Sequence, residues 1–374
     1  MNVLIFKFPY SSLFGGGEVH TLQLVEQLSR RGWKFFLVSS CHVLLEEFAK
    51  RKWYAIPLAI SKEPVTIPAI LIFALFSPMI LLQLSAILLY YRIVKNVRAL
   101  YCLSLTEKIL VTPVARLLGI RVYWMEHLLM ERWIQMNPYR WSYVLNSRLA
   151  RIVTVSEAVK KSIVSIGVRP ERVVVIPNGV DTAHFIPMRR QGSQQTIGYI
   201  GRFSKEKGLD VLLSAFTKLH QTRPHIRMLW VGKGSIELEL RQEAKRLGMD
   251  QHMTIYPHTT DIRPFVRECD VIIMPATRRD SFGMLIIEAG AMGIPTIATS
   301  VGGFPEVIQD GKTGWIVPPN NADALARQCA WVLDHSAETR EIGKAARRWI
   351  NYAFPEQKMI DRFESLFRHD HLPL

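Results

Sequence analysis

Apolar, strand-like runs alternate with helical segments along most of this chain, and the alternation limits the possible folds more than any other feature. In the first half the strand-like runs are VLIF, FFLVSS, ALYCLS, RVYWMEH and IVTVS. Strands that are separated by helices indicate parallel βαβ units and a doubly wound sheet. The run RVVVIPNGVD, residues 172–181, closes this half.

The pattern restarts after HFIPMRRQGSQQ, residues 184–195, which is typical of a linker. A chain of 374 residues is too long for one typical core. We therefore predict an α/β protein with two doubly wound, Rossmann-like domains facing a central cleft, where α/β proteins bind ligands. The predicted segments are an N-terminal domain at 1–183, a C-terminal domain at 184–350, and a helix at 351–374 that packs back on the N-terminal domain.

The balance of charge is strongly basic, with a formal net charge of +15. Such a charge suits an anionic partner: nucleic acid, a phosphorylated small molecule or an anionic membrane. No basic run is interleaved with aromatic residues, so we predict that nucleic acid is not the partner. The four cysteines lie far apart without a metal or redox spacing, which indicates reduced, buried thiols. The N-terminus is predicted to form a first strand rather than a signal peptide.

Residues 65–91 form an apolar run without a single charged residue. Length and composition alone would predict a transmembrane helix, but a crossing would put strands of one sheet on opposite sides of a bilayer. Pro68 and Pro78 predict that the run is not one continuous helix. Buried core helices and a broken helical unit in the membrane interface both fit. Three cations follow the run and favour membrane association of segment 64–94: Arg92, Lys95 and Arg98.

The motif GRFSKEKG, residues 201–208, follows a strand and opens a helix. Gly201 allows the backbone to turn, while Arg202 and Lys207 place two cations beside a helix N-terminus. Cations and free backbone amides together predict an anion site. A solvated basic loop is the alternative.

A second motif, DSFGMLIIEAG, follows the predicted strand VIIMPA. The amides of Gly283, Met284 and Leu285 would begin a helix there, and unpaired N–H groups at a helix start favour a phosphate. Glu288 lies about a turn and a half further on, where it can reach a ribose or other vicinal hydroxyls.

Asp280 and Glu288 also suggest the acid and base of a glycoside hydrolase. A fully helical stretch would separate these carboxylates by about 12 Å of rise. Glycosidase pairs lie roughly 5 to 10 Å apart. We therefore interpret the two residues as bracketing one extended ligand, with a sugar near Asp280 and a ribose near Glu288.

Several motifs occur in a fixed order: GGGEVH, NGVDTAHF, GRFSKEKGLDVLLSAF, VGKG and DSFGMLIIEAGAMGIPTIATSVGGFPEVI. With these motifs the chain resembles the retaining glycosyltransferases of family 4, which have the GT-B fold. The resemblance covers essentially the whole chain and is stronger in the second half. The motifs that carry the resemblance identify neither the donor nor the acceptor.

The resemblance implies a nucleotide-diphosphate sugar held mainly by the C-terminal domain. Arg202 and Lys207 would then neutralise the diphosphate and the charge that develops on the leaving group. Glu288 would bind the ribose hydroxyls, and the amides of residues 283–285 would contact phosphate and sugar. No metal or other cofactor is implied, and the sequence shows no DxD-like metal motif.

The resemblance also implies roles outside these two motifs. Gly16 and Gly17 would let the backbone approach the donor phosphates, a tight turn being the alternative. His127, at the end of RVYWMEH, would contact the transferred sugar, unless it is an ordinary strand-end histidine satisfied by local hydrogen bonds. Its neighbour Glu126 should point to the opposite face. Asp280 takes the first acidic position of the family's E-x7-E motif, where glutamate is usual, and its shorter side chain alters that contact.

We therefore predict a metal-independent, retaining hexosyltransferase with catalytic roles for Asp280, His127, Arg202 and Lys207. It would move a sugar from a nucleotide-diphosphate sugar to an acceptor hydroxyl, with leaving group and acceptor on the same face of the sugar. The apolar run and the basic charge suggest a lipid-linked or envelope polysaccharide acceptor and a peripheral position on the cytoplasmic face of the membrane. Two alternatives stay open: a catalytically weak nucleotide-sugar-binding subunit that scaffolds a partner transferase, and a soluble transferase for small acceptors.

Overall fold

The computed structural model describes residues 1–10, 15–60, 62–130, 132–189, 194–278 and 280–369. The chain forms two compact units. Unit 1 comprises Met1–Ile176 and the C-terminal segment from Ile360, and unit 2 comprises Pro177–Met359. Each unit contains one parallel sheet with helices, so the predicted α/β class is confirmed.

Unit 1 is built on a seven-stranded sheet whose strands are β1 (Asn2–Lys7), β2 (Lys34–Ser39), β3 (Tyr54–Pro57), β4 (Ala99–Cys102), β5 (Arg121–Glu126), β6 (Arg151–Thr154) and β7 (Val173–Val175). Their order is β3-β2-β1-β4-β5-β6-β7, and every pair is parallel. Val3 of β1 lies opposite Phe35 and Ala99 in the two neighbouring strands. The side chains of β4 are all buried, as expected for a parallel strand covered on both faces.

The helices of unit 1 alternate with these strands. They are α1 (Gly16–Arg30), α2 (His42–Lys50), α3 (Ile67–Ile93), α4 (Leu105–Leu110), α5 (Thr112–Leu117), α6 (Arg132–Met136), α7 (Arg140–Ser147) and α8 (Glu157–Val164).

Unit 2 repeats the design with a six-stranded sheet. Its strands are β8 (Thr196–Ile200), β9 (Arg227–Val231), β10 (Met253–Tyr256), β11 (Val271–Met274), β12 (Thr296–Thr299) and β13 (Gly314–Val317), in the parallel order β10-β9-β8-β11-β12-β13. Its helices are α9 (Leu209–Thr222), α10 (Glu237–Arg246), α11 (Arg263–Val266), α12 (Met284–Ala291), α13 (Phe304–Val307), α14 (Ala322–Asp334) and α15 (Ser336–Ala353). The last helix, α16 (Glu356–His369), begins in unit 2 and ends in unit 1.

The apolar run forms a single helix, α3, of 27 residues. The prediction that Pro68 and Pro78 interrupt it is wrong. Pro68 lies in the first turn, where a helix needs no N–H donor. Pro78 lies inside the helix, and the hydroxyl of Ser77 donates a hydrogen bond to the carbonyl of Ala74 at 3.1 Å. That carbonyl is the one that an amide at position 78 would have used, so the helix continues.

One stripe of α3 packs against unit 1, and the rest of the helix is largely exposed. The buried stripe consists of Ala69, Phe73, Ile80, Leu84, Leu88 and Tyr91, which recur at helical spacing. By length and composition alone α3 is able to cross a membrane, a test that the core helix of a soluble protein also passes. The strands before and after it, β3 and β4, belong to the same sheet. This placement argues against a crossing.

The C-terminal part of α16 completes the aromatic core of unit 1. The ring of Phe367 is fully buried and lies 4.8 Å from Tyr123, 5.8 Å from Trp33 and 6.1 Å from Tyr101, measured between centroids. The indole N–H of Trp33 also donates to the carboxylate of Glu364 at 3.2 Å. The last helix is therefore an integral part of unit 1.

We expect Phe367→Ala to lower the free energy of unfolding by about 3 to 5 kcal/mol, because it leaves a cavity among three aromatic rings. Urea unfolding followed by tryptophan fluorescence measures this loss. The control is Arg362→Ala on the exposed side of the same helix, which should change stability by less than about 0.5 kcal/mol. Equal losses in the two variants would contradict the packing role.

Candidate functional site

In unit 2 the loops that follow β8 and β11 meet through an ion pair. The ammonium of Lys207 lies 2.5 Å from a carboxylate oxygen of Asp280, and both side chains are mostly buried. The amide of Thr277 donates to the carbonyl of Glu206 at 3.0 Å and holds the two loops together. The motifs GRFSKEKG and DSFG, distant in sequence, therefore form one surface at the carboxyl ends of their strands.

Arg202 lies in the first of these loops but outside the ion pair. The hydroxyl of Tyr199 donates to the carbonyl of Arg202 at 2.8 Å and fixes the backbone there. The side chain of Arg202 is exposed. The loop thus supplies one cation held by a carboxylate and a second cation open to solvent.

Helix α12 begins beside Asp280. Gly283 precedes its first residue with φ of +90°, a left-handed conformation that favours glycine. Within the described chain no side chain caps the first turn, which includes Met284 and Leu285. Its free N–H groups and the positive end of the helix dipole make this terminus suitable for an anion.

A pair of glycines after β12 supports the backbone of Asp280. The amide of Gly303 donates to the Asp280 carbonyl at 3.0 Å. Gly302 has φ of +54°, and a Cβ atom built on it would lie 1.7 Å from the same carbonyl oxygen, so no side chain fits. Our sequence analysis assigned no role to these two residues. The adjacent glycines of SVGGF, directly after a strand, were the available signal.

Glu288 lies in the second turn of α12 and is partly buried. Burial raises the pKa of its carboxyl from 4.5 to about 7. The carboxyl therefore changes its charge near neutral pH. This behaviour fits a group that gains hydrogen-bond donors only when a ligand binds.

In unit 1 the first turn of α1 and the end of β5 come together. Gly16 and Gly17 form the first turn of α1. A Cβ atom on Gly17 would lie 3.2 Å from the His127 ring, so glycine allows this close approach. Gly16, Gly17 and His127 therefore lie together in unit 1, and Arg202, Lys207, Asp280, Gly283, Met284, Leu285 and Glu288 lie together in unit 2.

His127 packs against a second imidazole, that of His20. The ring centroids are 4.8 Å apart with an edge-to-face angle of 72°. Burial lowers the pKa of His20 to about 3, and burial together with His20 lowers the pKa of His127 well below its usual range. Both rings are therefore neutral at physiological pH. His20, the last letter of GGGEVH, was missed by our sequence analysis because a lone histidine on a helix has no distinctive pattern.

Glu126 points away from His127. Its carboxylate accepts hydrogen bonds from the Lys108 ammonium at 2.6 Å and from the Tyr143 hydroxyl at 2.7 Å, all three groups being buried. As predicted from strand alternation, the two neighbours lie on opposite faces of the sheet. Glu126 therefore forms part of the internal packing between β5, α4 and α7.

Two family models match consecutive parts of the chain. "Glycosyltransferase Family 4" matches residues 14–184, and "Glycosyl transferases group 1" matches residues 182–349. The chain belongs to the family 4 glycosyltransferases. The resemblance stated from the sequence motifs is thereby confirmed.

Two curated relatives illustrate this similarity. Phosphatidyl-myo-inositol mannosyltransferase of Mycolicibacterium smegmatis is 33% identical over 189 residues, which are 48% of this chain and 48% of that protein. The capsular polysaccharide biosynthesis glycosyltransferase CapM of Staphylococcus aureus is 25% identical over 232 residues, 58% of this chain and 60% of that protein. The chain thus spans about half the length of the curated relatives that it matches.

The fold as a whole matches a solved structure. HepE from Anabaena in complex with UDP superposes with a TM-score of 0.81 at 17% identity, covering 98% of this chain and 99% of that chain. The predicted GT-B fold is therefore confirmed for this member of family 4.

Glu288 generates a prediction about stability and pH. Its pKa is raised in the folded protein, so the folded state binds more protons than the unfolded state between about pH 4.5 and 7. Stability should fall as the pH rises through this window. We expect Glu288→Gln to be roughly 2 to 3 kcal/mol more stable than the native protein at pH 8, and nearly equal to it at pH 4.5.

Urea unfolding of both proteins at pH 4.5 and pH 8 measures the difference. The matched control is Glu239→Gln on the exposed side of α10, which makes the same atomic change at an exposed carboxyl. A stability difference for Glu288→Gln that does not change with pH would contradict the role of burial.

Proposed function

We propose that the protein is a retaining glycosyltransferase that moves a sugar from a nucleotide-diphosphate sugar to an acceptor hydroxyl. The observation that carries this proposal is the surface in unit 2 where Lys207, in the same loop as the exposed Arg202, pairs with Asp280 just before the uncapped start of α12. Cations and free backbone amides together suit a diphosphate. The structure of HepE with UDP, a protein of the same fold, supports this choice of donor.

The chemistry we propose is electrostatic. The bond between the anomeric carbon and the diphosphate oxygen breaks, and the bond to the acceptor oxygen forms on the same face of the sugar. The acceptor proton passes to the departing phosphate. Lys207, Arg202 and the amides of α12 stabilise the negative charge that develops on the diphosphate, and no protein nucleophile or metal takes part.

Asp280 has a double role in this proposal. Its carboxylate holds the ammonium of Lys207 in place, and it faces the sugar at the position where the family usually has glutamate. Glu288 would accept hydrogen bonds from the ribose hydroxyls. In unit 1, His127 is our candidate for contact with the transferred sugar, since a neutral imidazole is able to donate to or accept from a hydroxyl.

We further propose that the acceptor is a lipid-linked or envelope polysaccharide intermediate, and that the protein is peripheral on the cytoplasmic face of the membrane. The exposed apolar side of α3 supports a membrane location. Two relatives point in the same direction by name, one as a phosphatidyl-myo-inositol mannosyltransferase and one as a capsular polysaccharide glycosyltransferase.

The donor proposal is tested with Lys207→Ala. A screen of nucleotide sugars by thermal stabilisation first identifies the donor, and release of the nucleotide diphosphate is then measured. We expect Lys207→Ala to lower the rate roughly 100- to 1,000-fold, as removal of one charge-stabilising donor typically does. Lys245→Ala, an exposed lysine on α10, should keep the native rate.

The opposite result would favour one of the alternatives. Donor binding without turnover, even with a lysate of candidate acceptors, would indicate a catalytically weak nucleotide-sugar-binding subunit, for which Asp280 is the supporting feature. Full activity of Lys207→Ala would exclude the proposed site.

The stereochemistry and the metal independence form a separate prediction. With the donor and acceptor identified, NMR of the product should show the same anomeric configuration as the donor. The rate should not change after treatment with EDTA, because protein cations stabilise the leaving group. An inverted product, or a rate lost with EDTA and restored by a divalent cation, would contradict this mechanism.

A further inference from the structure

One side of α3 is an uninterrupted apolar surface. We name it the α3 face and define it by residues at helical spacing that are exposed by between 59% and 76%: Ile67, Leu71, Leu75, Met79, Leu82 and Ile93. It lies opposite the buried stripe of the same helix. Exposed apolar areas of this extent mark sites of interaction in soluble proteins.

The neighbouring helix α7 carries further exposed apolar side chains. The ring of Tyr139, just before α7, lies 5.0 Å from that of Phe73, and the Asn137 side chain donates to the Pro64 carbonyl at 2.6 Å. These contacts fix the start of α7 beside the first half of α3. Trp141 and Leu145 of α7 are exposed by 77% and 60%. A helix that contacts α3 therefore presents an exposed tryptophan, a residue typical of membrane interfaces.

A basic cavity lies at the other end of α3. It has a volume of about 440 Å³, and its lining includes Lys34, Lys52 and Lys95 together with Trp53 and Tyr54. No acidic residue is among its lining residues in the described chain. We name it the lysine pocket. Three lysines that line one concave surface suit a phosphate group.

The α3 face and the lysine pocket adjoin each other. Lys95 lies two residues after the end of α3, so the pocket follows the helix directly. Tyr91 of α3 packs on Phe36 at 5.3 Å, and Phe36 packs on Tyr54 of the pocket at 5.5 Å. The pocket lies at the amino ends of β1, β2 and β3. It is therefore separate from His127, which follows the carboxyl end of β5.

We propose that unit 1 docks on anionic phospholipid membranes through these two features. The α3 face enters the boundary between head groups and acyl chains, and the lysine pocket holds the phosphate of an anionic lipid. This proposal rests on the proposed function in one respect, namely that the acceptor lies at the membrane. A second copy of the chain fits less well, because it would bring the same three lysines towards the contact.

The test is co-sedimentation of the full chain with vesicles of phosphatidylcholine alone or mixed with phosphatidylglycerol. We expect strong binding to the anionic vesicles and weak binding to the neutral ones. Replacing Lys34, Lys52 and Lys95 together by glutamine should weaken binding to the anionic vesicles about a hundredfold, near fivefold for each lysine. The control replaces three exposed lysines elsewhere by glutamine, Lys161, Lys245 and Lys312, and should weaken it less than about fivefold.

A second pair of variants tests the α3 face. Leu75→Glu with Leu82→Glu should abolish binding to both kinds of vesicle. Leu238→Glu with Ile186→Glu, at exposed apolar positions of unit 2, should leave binding unchanged. Circular dichroism shows whether each variant is folded, and release of nucleotide from the donor, measured without vesicles, should match the native protein in all of them.

Four results would overturn docking. The first two are an equal loss of vesicle binding in the lysine variant and its control, and no vesicle binding by the native chain. The other two are a native dimer that the Leu75/Leu82 variant converts to a monomer, and binding of inorganic phosphate in the lysine pocket without any binding to vesicles. Failure of docking is distinct from failure of the proposed function. Native donor turnover without vesicle binding overturns docking alone, and vesicle binding without donor turnover overturns the transferase alone.

Discussion

Burial of parallel strands on both faces is the constraint on which the rest of this structure depends. A parallel strand is reached only through a crossover, and here helices supply the crossovers in both sheets. Because the strands are parallel, the loops that follow their carboxyl ends all lie at the same edge of the sheet. Motifs far apart in sequence are thereby brought together, as the GRFSKEKG and DSFG loops are in unit 2.

The Lys207–Asp280 ion pair shows how the fold prepares the candidate site. A lysine alone in a loop would sample many positions, whereas the ion pair with Asp280 restricts Lys207. The backbone carbonyl of Asp280 accepts a hydrogen bond from the amide of Gly303, and it packs closely against Gly302, where no side chain fits. The first acidic position of the family's motif thus has a structural role in this chain, because Asp280 positions a cation.

Much of the fold was predictable from the sequence because strand and helix periodicities are local signals. The strands of both sheets other than β3 were read from such patterns. The predicted linker at 184–195 does not separate the two units, because unit 2 already begins at Pro177. The α3 prolines were misread because their effect depends on details that periodicity does not carry: Pro68 falls in a first turn, and Ser77 serves the carbonyl of Ala74. His20 and the Gly302–Gly303 support were missed because they acquire a role only through contacts distant in sequence.

The return of the chain to unit 1 has a consequence for its synthesis. Phe363 packs on His20 at 5.3 Å, and Phe367 packs among three further aromatic rings. The ribosome makes all of unit 2 between the two parts of unit 1, which takes roughly 10 to 40 s at usual rates of translation. During that interval His20 lacks its neighbour and the aromatic core of unit 1 stays open. The packing behind His127 therefore forms only after the ribosome has synthesised unit 2 and the segment that begins at Ile360.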